Sequence, residues 1–326
     1  MMRHQSEKGA AMVLVLGIVA VMSSLAIFSF DSLTRLIALT AAKNYAAQTD
    51  HYARGAELVA IDVGRRLIVE KVPLRVLVNQ GQNRFQQNID DAQIIGELQD
   101  ATNCFNLASL VTGNRNEGYA ADMEAVEQFA RLLQLKGLGA QAALAVASAL
   151  ADWQDSDTKP LPLGAESAFY ADRAPYYQTP NVPLSSVSEF RLIRDVTPTL
   201  IEALGDLICV DPIFMDTVIN INMLQRRHAT LLSAILGADA SEASMQNLIA
   251  GQPEQGFSDS QRFWAHPLLA YGQFTNAQKR KFFTLPRRIR VLVDVELSGV
   301  KNRMKSHIHF YPNGSYTMIS RVFGDM

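Results

Sequence analysis

From Ala10 to Phe30 the chain runs 21 residues without a charge, and Asp31 ends the run. As a helix at about 1.5 Å per residue it reaches roughly 30 Å, the thickness of the hydrocarbon part of a bilayer. A segment of that kind has to be buried in lipid or against other apolar helices. Ahead of it stand Met1 to Gly9, where Arg3 and Lys8 outweigh Glu7. That bias keeps the N-terminus on the cytoplasmic side and sends the rest of the chain across. A secretory signal is the rival reading, since Ser23-Ser24-Leu25-Ala26 places small residues inside the run. The apolar region of such a signal is usually shorter, about 7 to 15 residues.

The helical pattern continues past Asp31. Tyr45, Tyr52 and Val59 recur at seven-residue spacing and Val59, Val63 and Leu67 at four, while Lys43, Asp50, Arg54, Glu57 and Arg65 fall on other faces. The spacing predicts one helix from about Ala10 to Val69, its first half in lipid and its second packed amphipathically on a folded body. With 326 residues the chain is long enough for more than one core. Its 30 Lys+Arg against 32 Asp+Glu leave a formal charge of -2, so no basic field draws it to nucleic acid.

Two textures follow. Glu124 to Leu135 and Ala140 to Trp153 read as helices separated by Gly137-Leu-Gly139. That hairpin has the outline of a phosphate-binding turn, but beyond Arg131 and Lys136 few basic residues surround it, and it is read as a packing hairpin. Near Arg287 the pattern changes to period two: Val291, Val293, Val295 and Leu297 alternate with Arg290, Asp294 and Glu296. Asn302 to Tyr311 and Ser315 to Phe323 follow, joined by Pro312-Asn313-Gly314, which suits a tight hairpin. With a further β segment around Asp91 to Gln99, the fold class expected is α+β: a long N-terminal transmembrane and amphipathic helix packed on a small antiparallel sheet, with a large, mostly helical domain inserted.

A leader ending in Lys8-Gly9, an uncharged 21-residue run and a helix continuing into the soluble part together resemble the type IV pilins and pseudopilins. The resemblance implies that a prepilin peptidase cuts between Gly9 and Ala10 and that Ala10 becomes the N-methylated mature N-terminus. Gly at the cut leaves an extended backbone unobstructed. Most of the class carry Glu at mature position 5; here that residue is Leu14. A carboxylate in the bilayer is costly without a partner, so its absence fits a subunit with no neighbour ahead of it.

Several later segments are similar to the K-type minor pseudopilin of type II secretion systems. They are Asp100-Ala-Thr-Asn-Cys-Phe-Asn-Leu107, Leu150-Ala-Asp-Trp-Gln-Asp-Ser-Asp157, Gly164-Ala-Glu166 with Tyr170, Ser188-Glu-Phe-Arg-Leu192 and Ile219-Asn-Ile-Asn222. The resemblance implies a leader over residues 1–9, a membrane helix over 10–30, a pilin-like domain from 31–104 with 281–326, and an inserted helical domain over 105–280. It implies a tip subunit that starts or caps a short periplasmic pseudopilus for protein export. Its partners would be the I-type and J-type minor pseudopilins, the peptidase and the inner membrane, with the exported cargo as a further candidate.

Asp152, Asp155, Asp157 and Glu166 offer several oxygen ligands within fifteen residues. The spacing is not that of an EF-hand, and a solvated acidic loop is the commoner outcome of such a run. The family resemblance implies structural calcium there, with Asp155, Asp157 and Glu166 as ligands and Asp152 and Asn181 as weaker candidates. Cys104 and Cys209 are the only cysteines. The compartment implied favours a disulfide between them, with two buried thiols as the alternative.

His307 and His309 sit two apart on a strand face, where a pair of histidines is more often polar surface than metal site. No Gly-x-Ser-x-Gly, His-Glu-x-x-His or phosphate loop is present, and no catalytic residue is assigned. The other reading of the whole chain is a membrane-anchored periplasmic binding or enzyme domain.

Overall fold

The computed structural model describes residues 7–172 and 176–324. Met1 to Ser6 of the expected leader lie outside the described residues. Helix α1 (Glu7–Val69) is unbroken over 63 residues, about 95 Å at the α-helical rise. No proline interrupts it; the first is Pro73. Along α1 the hydroxyls of Ser24, Thr34 and Thr40 donate to carbonyls one turn back, which satisfies them within the helix. The helix ends where Lys71 adopts a φ of 56° and Val72 N–H donates to Leu67 O at 2.9 Å. Helix α2 (Leu74–Asn79) then starts after Pro73.

The sheet is an antiparallel meander of β1 (Arg84–Ile89), β2 (Ala92–Asp100), β3 (Arg288–Leu297), β4 (Val300–Phe310) and β5 (Tyr316–Phe323). Its one long interruption falls between β2 and β3. The inward residues of β3, Val291, Val293 and Val295, join Ile94, Leu98, Met304, Ile308 and Phe310 beneath α1. Strand β1 was not expected: it lies on the sheet edge with five of its six residues exposed, so its sequence carries no alternation.

The expected faces of α1 also need correction. Val59 is 55% exposed, whereas Glu57 is buried at 1%. Ala53, Ala56 and Ala60 form the contact face instead, with Ile61, Leu67 and Ile68. Their small side chains let the helix come close to the sheet. At Gly64 a Cβ would stand 2.8 Å from Cζ of Phe310, so only glycine allows that approach.

A second core, running from Phe105 to Phe282 in sequence, is separate from the first. It is built around α3 (Met123–Leu135), α4 (Ala140–Gln154), α5 (Ala229–Leu236) and α6 (Glu242–Ala250). Asp122 caps α3 by accepting from the Glu124 and Ala125 amides. Gly137, at φ 100°, turns the chain into α4. Arg131 of this hairpin donates to Ala234 O at 3.0 Å, so it serves packing between helices.

The two bodies meet at a polar joint. Phe105–Asn106 pairs in parallel with Ile208–Cys209, and Ile219–Asn220 with Phe282–Phe283. Cys104 and Cys209 are bonded as a disulfide with their Cα atoms 5.7 Å apart. Beside it, buried Arg288 pairs with buried Asp211 at 3.0 Å and donates to the carbonyls of Phe214 and Asp216. Asn103 and Asn220 exchange hydrogen bonds, and Asn220 also donates to Asp100 at 2.7 Å.

Candidate functional site

Two features lie outside the needs of a stable core. The first is the apolar half of α1. Met12, Leu14, Leu16, Ile18, Val21, Leu25, Phe28 and Phe30 are all more than half exposed. Among the described residues this is the one helix long and apolar enough to cross a membrane. Leu14, where the pilin class usually has a carboxylate, is 63% exposed and adds no charge.

The second is an acidic pocket at the end of α4. Asp155 caps the C-terminus of that helix, and the chain then crosses a turn to Glu166, which precedes the short helix Ser167–Ala171. Oxygens of Asp155, Asp157 and Glu166 lie within 4.8 Å of one another. Asp155 and Glu166 are buried while Asp157 is exposed. Asp155 Oδ1, both carboxylate oxygens of Glu166 and Oδ1 of Asn181 are buried without a hydrogen-bond donor.

Burying acceptors that nothing satisfies is costly, and facing carboxylates repel one another. The cost appears in their titration. Burial, then the neighbouring Asp157, Asp152 and Glu166, pushes the Asp155 carboxyl up to about 7. Burial and then Asp152 push Glu166 upward as well. A hard divalent cation would satisfy these oxygens and remove the repulsion, and the donor set is that of calcium or magnesium rather than of a softer metal.

The weaker candidates divide. Asp152, fully buried, turns its carboxylate to the Leu161 amide at 3.0 Å. A Cβ on Gly164 would lie 1.9 Å from Asp152 Oδ2, so the loop packs directly on that carboxylate. Asp152 therefore shapes the 161–165 loop that delivers Glu166. Asn181, at a φ of 54°, donates to Asp157 O at 3.4 Å and so lies against the same loop. Sequence reasoning missed the residues that brace it. Ser156 Oγ accepts from the Tyr119 amide at 2.8 Å, and Ser167 and Thr179 hydroxyls pair at 2.6 Å. Serine and threonine in a loop carry no signal of such contacts.

The two strand histidines are each occupied otherwise. His307 Nε2 accepts from Arg290 Nε at 3.2 Å, and His309 stacks on Phe214 with ring centroids 3.5 Å apart.

Residues 103–212 and 219–282 match family models described as Type II secretion system (T2SS), protein K. The Type II secretion system protein K of Klebsiella pneumoniae is 32% identical over 270 residues, 82% of each chain. That of Pectobacterium carotovorum subsp. carotovorum is 29% identical over 87% of this chain and 89% of its own. A solved chain from the GspK-GspI-GspJ complex of enterotoxigenic Escherichia coli shares the fold, with a TM-score of 0.72. It is 24% identical, and the match covers 88% of this chain and 99% of that one.

Proposed function

The chain belongs to the type II secretion system protein K family, and on that premise we propose that it is the minor pseudopilin at the pseudopilus tip, where it starts or caps assembly for protein export. The observation that carries the reading is the continuity of α1, from an exposed apolar half into a core-packed half. A stand-alone anchor needs only an apolar stretch and a linker. A rigid helix shared between membrane and domain transmits position, as a filament subunit requires.

In this reading residues 31–104 with 281–326 form the pilin-like domain, and 105–280 is the inserted head. The bulk of the head bars further subunits from adding above it, and Leu14 supplies no carboxylate for a neighbour's N-terminus. The I-type and J-type minor pseudopilins are the partners proposed, in line with the complex in which the Escherichia coli relative was solved. The bulk of the chain lies in the periplasm, anchored once in the inner membrane.

Prepilin peptidase is proposed to cut between Gly9 and Ala10. The bond lies in the first turn of α1, where amides lack intrahelical partners and unwinding costs little. Asp155, Asp157 and Glu166 are proposed to hold calcium with help from Asn181. The cation would supply the positive charge that their buried oxygens lack and tie down the segment 159–183.

N-terminal sequencing and mass spectrometry of the protein purified from membranes test this reading. A methylated Ala10 is the expected result. An intact Met1, or a cut near Ala26, would overturn it.

A further inference from the structure

The two edges of the sheet are built differently. β1 sets Arg84, Gln86, Gln87 and Asn88 along its edge, polar residues that discourage pairing with another chain. β5 carries neither lysine nor proline, and Tyr316, Val322 and Phe323 stand exposed on it. Ladder bonds at its two ends, Tyr311 N–H to Ser315 O at 2.9 Å and Gly324 N–H to Arg303 O at 2.8 Å, fix which of its amides face inward. By the antiparallel alternation Thr317, Ser320 and Val322 form the hydrogen-bonded pairs with β4, while Tyr316, Arg321 and Phe323 turn both N–H and C=O away from the sheet. A bulge at Ile319 kinks this edge without covering it.

Helix α1 runs antiparallel to β5 beside the open edge. Arg54 lies over the ring of Phe323 at 5.7 Å, Glu57 is held by Arg321, and Val69 meets the turn at Gly314. The same flank of the helix carries Leu58, one turn on from Arg54, and Leu58 and Val69 are each more than half exposed. Arg321 and Phe323 turn their side chains toward α1. In a strand added at this edge, the residues hydrogen-bonded to them would therefore turn theirs to the same flank. Its charges do not balance. Asp62 is taken up by Arg65 and Arg66, at 2.8 and 3.2 Å, and Glu57 by Arg321. Arg54 meets no carboxylate among the described residues, so one positive charge is left unmatched.

A second copy of the chain does not fit this edge. Two-fold pairing of β5 with β5 is antiparallel, and it would turn the second α1 end over end. The two apolar halves would then point to opposite ends of the pair, where one membrane cannot hold both. We propose that the open edge of β5 and the flank of α1 beside it take an extended segment of another protein as a sixth strand, antiparallel to β5. Its alternate residues would be apolar against Leu58 and Val69, with an acidic one opposite Phe323 to meet Arg54. Main-chain bonds to Tyr316, Arg321 and Phe323 hold the segment, and the alternate side chains select it. The site does not depend on the tip assignment.

The full chain in detergent micelles is titrated by fluorescence anisotropy with a dye-labelled peptide, Thr-Glu-Thr-Val-Thr-Val-Thr-Val-Thr, and with a counterpart whose valines are serines. The valine peptide is expected to bind, and the serine counterpart at least about tenfold more weakly. Hydrogen exchange resolved to single residues should slow at the Arg321 and Phe323 amides on binding and stay unchanged at Ser320 and Val322, which β4 already holds. Phe323→Pro and Tyr316→Pro each remove one outward N–H and should weaken the peptide about fivefold. Arg54→Gln should weaken it about threefold, as for an exposed ion pair, and leave the version with Gln in place of Glu unaffected. Val322→Pro breaks the ladder to β4, so its thermal midpoint should fall well below that of Phe323→Pro. Absence of binding, equal binding of the two peptides, or slowed exchange at β1 instead of β5 would each overturn the proposal. So would a Phe323→Pro as unstable as Val322→Pro, since that amide would then serve the sheet itself. Sedimentation showing a dimer that Phe323→Pro returns to monomer would overturn it in favour of a second copy.

Discussion

Glu57 of the long helix and Arg321 of the last strand are joined across the core, 264 residues apart in sequence. Arg321 Nε donates to Glu57 Oε1 at 3.0 Å and Nη2 reaches the second oxygen, while Ser306 Oγ donates to the same carboxylate. Glu57 is 1% exposed, so these donors stand where water would otherwise hydrogen-bond its carboxylate. Replacing Arg321 with Ala would leave a buried carboxylate with one hydroxyl, and about 3 kcal/mol of stability should be lost. Glu57→Gln leaves behind only an arginine that can reach water, so it should cost less. Equilibrium urea unfolding of both variants checks the order.

That pair also shows why only part of this fold is legible in the sequence. A glutamate at a helical position reads as solvent-facing, and nothing local announces that its partner arrives from the last strand. Val59 reads as core, yet the contact face is built from Ala53, Ala56, Ala60 and Gly64. These residues signal close approach rather than hydrophobicity, and a periodicity argument passes over them. Val291, Val293 and Val295 were legible because a sheet covered on one face imposes strict alternation. In the acidic pocket the carboxylates of Asp155, Asp157 and Glu166 by themselves read as a solvated loop, and the expectation of a cation came from the family resemblance. The turn of Asp152 toward the Leu161 amide depends on a loop path that the sequence does not display.

Calcium should raise the thermal midpoint of the chelated protein. At a hundredfold excess over Kd the gain is about 2.7 kcal/mol. Asp155→Asn and Glu166→Gln should abolish the calcium-dependent shift, since they remove oxygens of the cluster. Asp152→Asn keeps an acceptor for the Leu161 amide, so the shift should persist although the loop is weakened. Differential scanning calorimetry, with and without chelator, reads all three. Equal midpoints for the wild type with and without calcium would remove the metal.

The disulfide between Cys104 and Cys209 closes a loop with a sequence separation of 105. It sits at the joint where the inserted lobe leaves and re-enters the sheet domain. In the loop-entropy account a closure of this length contributes on the order of 4 to 5 kcal/mol. The double variant Cys104→Ser with Cys209→Ser should lose about that much. Reducing agent should destabilise the wild type and leave the variant untouched. Denaturant titrations in both conditions separate the covalent contribution from any packing defect that serine introduces.

His309 sets an acid limit on the same joint. Its ring is buried, stacked on Phe214, and its Nδ1 has no hydrogen-bond partner. Burial first, then Arg288, lowers its pKa to about 4, with Asp211 acting in the opposite sense. His228 and His307 are also lowered to about 4, again mainly by burial. In the unfolded chain a histidine takes up its proton near pH 6.5. The folded state therefore binds fewer protons than the unfolded one between about pH 6.5 and 4, and the contribution of each ring falls as the pH drops through that window. Asp100 works against this: burial raises it to about 6, so its contribution is lost as the pH rises from about 4 to 6. The difference between variant and wild type cancels that background. His309→Phe keeps a ring against Phe214 and removes the proton site, so it should match the wild type near pH 8. Below pH 6.5 it should gain on the wild type, at no more than about 1.4 kcal/mol per pH unit for one proton. Parallel curves from pH 8 to 4.5 would show that His309 is not the group that titrates.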